Sequence, residues 1–112
     1  MSFPKLGKNP EFQKVYHQGR SKSNRHLIMY VLKDQEGMTR YGFSVSKKVG
    51  NSVVRHRVTR LLREAVRSYD SFLTKGNRII IIARPSASDR GLQEIKDSLK
   101  HLYKLHGIWR QV

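Results

Sequence analysis

Apolar positions recur along this chain with two different periods. From Arg25 to Lys33 the period is two, with Leu27, Met29 and Val31 alternating with Ile28, Tyr30 and Leu32. Both alternating sets are apolar, so the segment reads as a strand covered on both faces. Asp34-Gln35-Glu36-Gly37 follows as a turn. Tyr41, Phe43 and Val45 then alternate with Gly42, Ser44 and Ser46, a second strand with one face of small residues over which something could lie closely. A third strand runs from Arg78 to Ala83 after the turn Lys75-Gly76-Asn77. Its consecutive Ile79, Ile80, Ile81 and Ile82 point to the centre of a sheet, and Pro85 stops it.

Elsewhere the period is helical. Asn9-Pro10-Glu11 is a helix start, with an N-cap residue, a proline suited to the first helical position and an acid at the positive end of the dipole. Phe12, Val15 and Tyr16 follow at helical spacing, and Gly19 ends the helix. Gly50-Asn51-Ser52 breaks the second strand and caps a long helix from Ser52 to Tyr69. Ser88-Asp89 opens a last helix, in which Leu92, Ile95, Leu99 and Leu102 form one buried face and which Gly107 ends. The order is helix, strand or strands, strand, helix, strand, helix. It predicts an α+β single-domain sandwich over residues 1–112, with one central mixed β-sheet of three to four strands packed with three helices.

Charge changes the picture from a fold to a partner. The 112 residues hold 23 Lys and Arg against 8 Asp and Glu, a net charge of +15, which points to a polyanion. The positive charge is concentrated. No acid occurs from Gly37 to Arg63, a stretch that carries Arg40, Lys47, Lys48, Arg55, Arg57, Arg60 and Arg63. On a helical wheel, Val54, Val58, Leu61, Leu62, Ala65 and Tyr69 gather on one side. His56, Arg60, Arg63 and Arg67 gather on the other, with Arg55 and Arg57 on the flanks. Solvated helix faces mix signs, because opposite charges four residues apart stabilise a helix and like charges repel. A row of guanidinium groups broken only by Glu64 therefore implies an anionic partner, and the planar fork of Arg suits phosphate. Lys47-Lys48-Val49-Gly50-Asn51 before the helix adds a second anion site, where free amides and the helix dipole converge.

Other chemistries find no support in the residues. Without cysteine there is no disulfide or thiolate site. The longest apolar run, Ile79 to Ala83, is too short to cross a membrane, and Met1-Ser2-Phe3-Pro4-Lys5 is followed by no apolar stretch of a secretory signal, so the expected place is the cytoplasm. The apolar face of the long helix is needed for the core of so small a domain, which leaves none for lipid. The acids form no DxD pair of the kind that two-metal phosphoryl chemistry needs. His101 and His106 are five apart, off the spacing that places two ligands on one helix face, and His17 and His26 have no evident partner. Asp34 and Glu36 read as solubilising turn residues. Glu64 is the best single candidate for a metal or base, against the simpler reading that it pairs with Arg60 or Arg67. No residue of the chain is assigned as catalytic.

The run from Lys47 to Glu64, Lys-Lys-Val-Gly-Asn-Ser-Val-Val-Arg-His-Arg-Val-Thr-Arg-Leu-Leu-Arg-Glu, closely resembles the signature helix of the bacterial ribonuclease P protein family. Phe12 to Tyr16 with Gly19 resembles that family's first helix. Phe43 to Lys48 resembles the strand entering its signature, and Ile80 to Arg84 its last strand. Two positions depart: the family usually has Arg-Asn-Arg where this chain has Arg55-His56-Arg57, and often a basic residue in place of Thr59. The resemblance implies a ribosomal protein S5 domain 2-like fold with a left-handed βαβ crossover, a chirality opposite to the usual one. It also implies an accessory subunit of an endoribonuclease whose catalytic centre is RNA with bound Mg2+, removing the 5′ leader of precursor tRNA. By that resemblance, Lys47, Lys48, Asn51, Arg55, His56, Arg57, Arg60, Arg63 and Arg67 would face the catalytic RNA, and Phe12, Tyr16 and Tyr30 would line a cleft for the single-stranded leader. Mg2+ would be held mainly by the RNA and the RNA–protein interface. Neither DNA nor membrane is an expected partner. The alternative is a ribosomal-type structural RNA-binding protein with no processing role.

Overall fold

A computed structural model describes residues 9–35 and 37–110; Glu36 of the predicted turn and the Met1–Lys5 segment lie outside them. Among the described residues there are three α-helices: α1 (Asn9–Gln18), α2 (Ser52–Tyr69) and α3 (Leu92–Leu105). The strands are β1 (Arg20–Ser23), β2 (Leu27–Lys33), β3 (Arg40–Ser44) and β4 (Asn77–Ala83). They form one sheet in the order β1-β2-β4-β3. β2 pairs antiparallel with both β1 and β4, whereas β3 runs parallel to β4, so the sheet is mixed and α2 is the crossover between its parallel strands. The isoleucine-rich β4 is interior, as its unbroken apolar run predicts.

Alternation along the strands sorts residues between two layers. Leu27, Met29, Val31, Tyr41, Ile79, Ile81 and Ala83 face a large core built with Val58, Leu62, Ala65 and Val66 of α2 and Ile95, Leu99, Leu102 and Tyr103 of α3. On the opposite face Ile80 meets Val15 of α1, with Phe12, Tyr16, Tyr30, Leu32 and Ile82 packed around them. β2 is therefore apolar on both sides because both of its sides are covered. Tyr41 and Tyr103, buried in the large core, satisfy each other through their hydroxyls at 2.9 Å. Burial pushes the Tyr41 phenol above its usual range.

α2 spans the segment its periodicity predicts, and the Asn51 side-chain oxygen accepts from the Val54 amide at 3.0 Å as its N-cap. Gly19 closes α1 by donating to the Val15 carbonyl at 2.8 Å. A side chain at this position would come within 2.5 Å of that carbonyl oxygen and 3.1 Å of the Val31 carbonyl oxygen, so the tight entry into β1 needs glycine. Gly107, at φ 72°, terminates α3, where the Ile108 amide returns to the Tyr103 carbonyl.

Three boundaries differ from the sequence reading. β1, Arg-Ser-Lys-Ser, has no apolar alternation to announce it; it is a largely exposed edge strand held by backbone pairing to β2. β3 ends at Ser44 rather than running on to Ser46, because Ser46 turns the chain, its carbonyl accepting from Val49 and its hydroxyl from the Lys48 amide. α3 begins at Leu92, not at Ser88-Asp89, which lie in a 3-10 turn spanning Pro85–Asp89. Ala87 of that turn is buried in the core, and the carbonyls of Ser88 and Arg90 are taken by the Arg57 guanidinium instead of a continuing helix.

Two histidines tie the α3 side to the sheet. Ser86 Oγ donates to the Arg25 carbonyl at 2.7 Å, so the His26 ring, 2.7 Å away, donates to Ser86 from Nδ1. His106 Nε2 donates to the Met29 carbonyl at 3.0 Å. Burial lowers the pKa of both below the ordinary histidine value. Arg90 and Arg25 add to the effect at His26, and Lys22 and Arg20 add to it at His106. A lowered folded-state pKa means that the unfolded chain takes protons first, so stability is full above the ordinary histidine pKa and is lost as pH falls through it. The urea midpoint is expected to drop between pH 7.5 and pH 5.5, and His26→Gln with His106→Gln to flatten that dependence. An equally steep dependence in the double variant would remove these two residues as its source.

Candidate nucleic-acid interface

The large core fixes which way α2 faces. With Val58, Leu62, Ala65 and Val66 buried against the sheet and α3, His56, Arg60, Arg63 and Arg67 stand exposed along the outer side. From His56 to Arg67 the row is about 16 Å long at 1.5 Å per residue. It forms one wall of a shallow groove to which Val45, Val53, Arg55, Thr59 and Glu64 also contribute. Lys47 and Lys48 are exposed in the turn that leads into α2. Asn51, at the helix N-terminus, spends its oxygen on the cap described above.

The row is electrostatically unbalanced. Among the described residues, no salt bridge engages Lys47, Lys48, Arg55, Arg60, Arg63 or Arg67. Glu64, expected to pair with Arg60 or Arg67, makes no ion pair among them either, and its exposed carboxylate stands in the groove. Such an array concentrates positive potential that Glu64 alone does not balance, and an external anion suits it.

The two flanking arginines differ from the row. Arg57 is half-buried and donates from both terminal nitrogens, to the carbonyls of Arg90 (3.1 Å) and Ser88, clamping α2 to the segment before α3. Arg55 is half-buried as well, with Nε enclosed and unpartnered. The wheel places both at the margin of the polar face and could not separate them from the row. Val45 and Val53 were missed as groove residues. Val53 is 76% exposed, and its signal was an apolar residue at a position three before His56 on the polar face.

On the other side of the sheet, the aromatic residues predicted to share a cleft do come together. Tyr16 and Tyr30 meet edge-on with centroids 5.0 Å apart, and Phe12 lies 6.5 Å from Tyr16. All three are half-buried against Val15 and Ile80, so each combines a packing role with an accessible surface. Burial, and then Tyr30, raises the Tyr16 pKa, which keeps the hydroxyl neutral and able to donate. Arg40 reaches from β3 to Glu11 of α1 at 3.4 Å across this side.

No group of three His, Asp or Glu side chains converges among the described residues. His101 Nδ1 lies 3.1 Å from the Asn24 amide, and His26 and His106 bind the partners given above. Among the described residues, no helix is long and apolar enough to cross a membrane.

The comparisons agree with this geometry. The sequence profile of the family described as Ribonuclease P matches residues 2–106. The ribonuclease P protein component of Lachnoclostridium phytofermentans is 48% identical over 103 residues, covering 92% of this chain and 89% of that protein. That of Exiguobacterium sibiricum is 42% identical, covering 96% and 93%. Among solved structures, the Staphylococcus aureus RNase P protein superposes with a TM-score of 0.86 at 34% identity, covering 97% of this chain and 99% of that one. The Thermotoga maritima RNase P protein, at 24% identity and a TM-score of 0.82, shares the fold. A match of this extent favours a processing subunit over the ribosomal-type alternative: the chain belongs to the ribonuclease P protein family.

Proposed function

We propose that this chain acts in tRNA 5′ maturation by binding two RNAs, the catalytic RNA along α2 and the single-stranded leader of precursor tRNA in the cleft of α1 and the sheet. The observation that carries the reading is the row His56, Arg60, Arg63 and Arg67, held outward by the buried face of the same helix and unpaired among the described residues. Guanidinium groups in a row neutralise successive phosphates and release their counterions, giving affinity with little demand on sequence. Lys47, Lys48 and Asn51 extend the contact around the helix N-terminus. Arg55 and Arg57 support it from the flanks. Phe12, Tyr16 and Tyr30 suit a leader of variable sequence, because stacking on an aromatic ring is worth about 1–3 kcal/mol per base whatever the base.

The side chains described do not build a carboxylate cage for Mg2+. In this reading the ion sits on the RNA and at its interface with the protein, where it supplies charge neutralisation, and the protein's part is to hold the two RNAs in register. The work takes place in the cytoplasm.

Cleavage of precursor tRNA at low magnesium tests the reading, with catalytic RNA alone, protein alone and both together. Efficient cutting only by the combination is the expected result. Cutting by the protein alone, or no gain over RNA alone, would refute it. In the same assay buffer, Arg60→Ala with Arg63→Ala is expected to weaken catalytic-RNA binding and to reduce the slope of log affinity against log salt by about 1.5–2. An unchanged slope removes the row from the interface.

A further inference from the structure

A second cationic surface lies away from the arginine row, where β2 ends and β4 begins. Lys33, the last residue of β2, Lys75, in the turn before β4, and Arg110, after α3, line one hollow with Ser71, Phe72 and Thr74. Their convergence is enforced by the backbone. Lys33 stands opposite Asn77 in the β2–β4 register, two residues after Lys75. The Arg110 amide donates to the Phe72 carbonyl at 2.7 Å, and Thr74 donates to the Ile108 carbonyl at 2.9 Å, stitching the segment after α3 beside the hollow. The fully buried Asn77 binds both oxygens of Thr74 through Nδ2, so the floor is anchored to the sheet.

Among the described residues, the lining holds three cations and no carboxylate. Among the described residues none of the three forms a salt bridge. Asp70 is near enough to Lys75 for the ammonium to offset part of the burial that raises its carboxyl pKa, and it is one acid against three bases. This distinguishes the hollow from the flank of α3, where Lys96 and Lys100 stand over the rings of Tyr69 and Trp109 at 5.2 and 5.0 Å and so have partners within the chain. In the hollow the partly exposed Phe72 ring, tilted against Trp109 with centroids 5.6 Å apart, stands beside the three cations, and Ser71 and Thr74 offer hydroxyls. Cations interleaved with an aromatic ring match a nucleotide, phosphate on the charges and base on the ring.

We propose that this hollow is a second contact for the sugar–phosphate backbone of RNA, at the end of the chain's fold opposite the Lys47–Asn51 turn. The placement follows from α2, which at 18 residues is about 27 Å long and separates the two ends. A contact here would thus lie beyond the helix C-terminus, about one helix length from the Lys47–Asn51 turn. The inference rests on the RNA-binding reading above and extends it.

The full-length protein with Lys33→Ala, Lys75→Ala and Arg110→Ala together tests it, in salt titrations of affinity for catalytic RNA and, separately, for precursor tRNA bound to the assembled complex. Far-ultraviolet circular dichroism and the urea midpoint check the fold. The expected result is a slope reduced by about 2–3 for one of the two RNAs, with an unchanged urea midpoint. Which RNA loses slope identifies the source of the phosphates. The double variant at Arg60 and Arg63 is the parallel arm. Should the row variant lose slope and the hollow variant lose none for either RNA, the hollow is not a contact and the function stands. Should neither lose slope, the RNA-binding reading itself falls. Because the chain has no cysteine, Lys75→Cys labelled with a tethered cleaving reagent gives an independent readout. Cuts clustered at one RNA segment support the contact, and cuts indistinguishable from free reagent overturn it.

Discussion

Leu62→Ala is expected to destabilise the fold by about 2–5 kcal/mol while leaving the salt dependence of RNA binding unchanged wherever the protein is folded. Leu62 is fully buried, on the side of α2 away from Arg60 and Arg63. It packs in the cluster that joins α2 to α3 and the sheet, so truncation removes apolar contacts where the surroundings are close-packed and leaves a cavity. A domain of this size has roughly 5–15 kcal/mol of total stability, so the loss should lower the melting temperature by ~10 °C or more. Urea unfolding followed by circular dichroism measures the first quantity, and binding titrations well below the new midpoint measure the second. A loss under about 1 kcal/mol would mean that α2 is not seated on the sheet as described. A changed salt slope in the folded variant would mean that the two faces of the helix are not independent. Arg60→Ala with Arg63→Ala should show the reverse pattern, a changed slope at nearly constant stability.

The fold was legible where burial imposes a period. β2 and β4 are apolar on alternate or all positions because helices cover both sheet faces, and α2 and α3 each carry one buried stripe, so those four elements follow from the pattern. β1 was not legible, because an exposed edge strand is held by backbone hydrogen bonds, which leave no trace in side-chain type. The start of α3 was misplaced for a related reason. Ser88 and Asp89 are good cap residues, but the segment is shaped by a tertiary contact, the Arg57 guanidinium on two carbonyls. Within the site, exposure of His56, Arg60, Arg63 and Arg67 could be read from the wheel. The environment of Arg55 and Arg57 could not, since one helix does not reveal what packs against its flank. The hollow of Lys33, Lys75 and Arg110 was also beyond periodicity, since its residues are far apart in sequence and meet only through the β2–β4 register and the chain after α3.

The flanking position gives the second large effect: Arg57→Ala is expected to cost about 2–3 kcal/mol of stability, and to change the salt slope less than a single substitution at Arg60 or Arg63 does. Its guanidinium makes charge-assisted hydrogen bonds to the carbonyls of Ser88 and Arg90. A hydrogen bond to a charged group contributes about 1.5–3 kcal/mol, and removing the donor leaves two carbonyls that the 3-10 turn and the start of α3 cannot satisfy alone. Partial exposure lets water replace some of this, which keeps the sum near the value for one buried bond. Arg57→Lys carries the same charge without the planar fork, so it can reach one carbonyl at a time and should recover only part of the stability. Its phosphate-neutralising capacity would be nearly intact. The pair of variants therefore separates shape from charge. If the urea midpoint falls for both and the salt slope holds for both, Arg57 positions α2 for the arginine row. If the lysine variant keeps wild-type stability and the alanine variant loses slope as strongly as Arg60→Ala, Arg57 is instead one more phosphate contact, and its bonds to Ser88 and Arg90 give way when RNA binds.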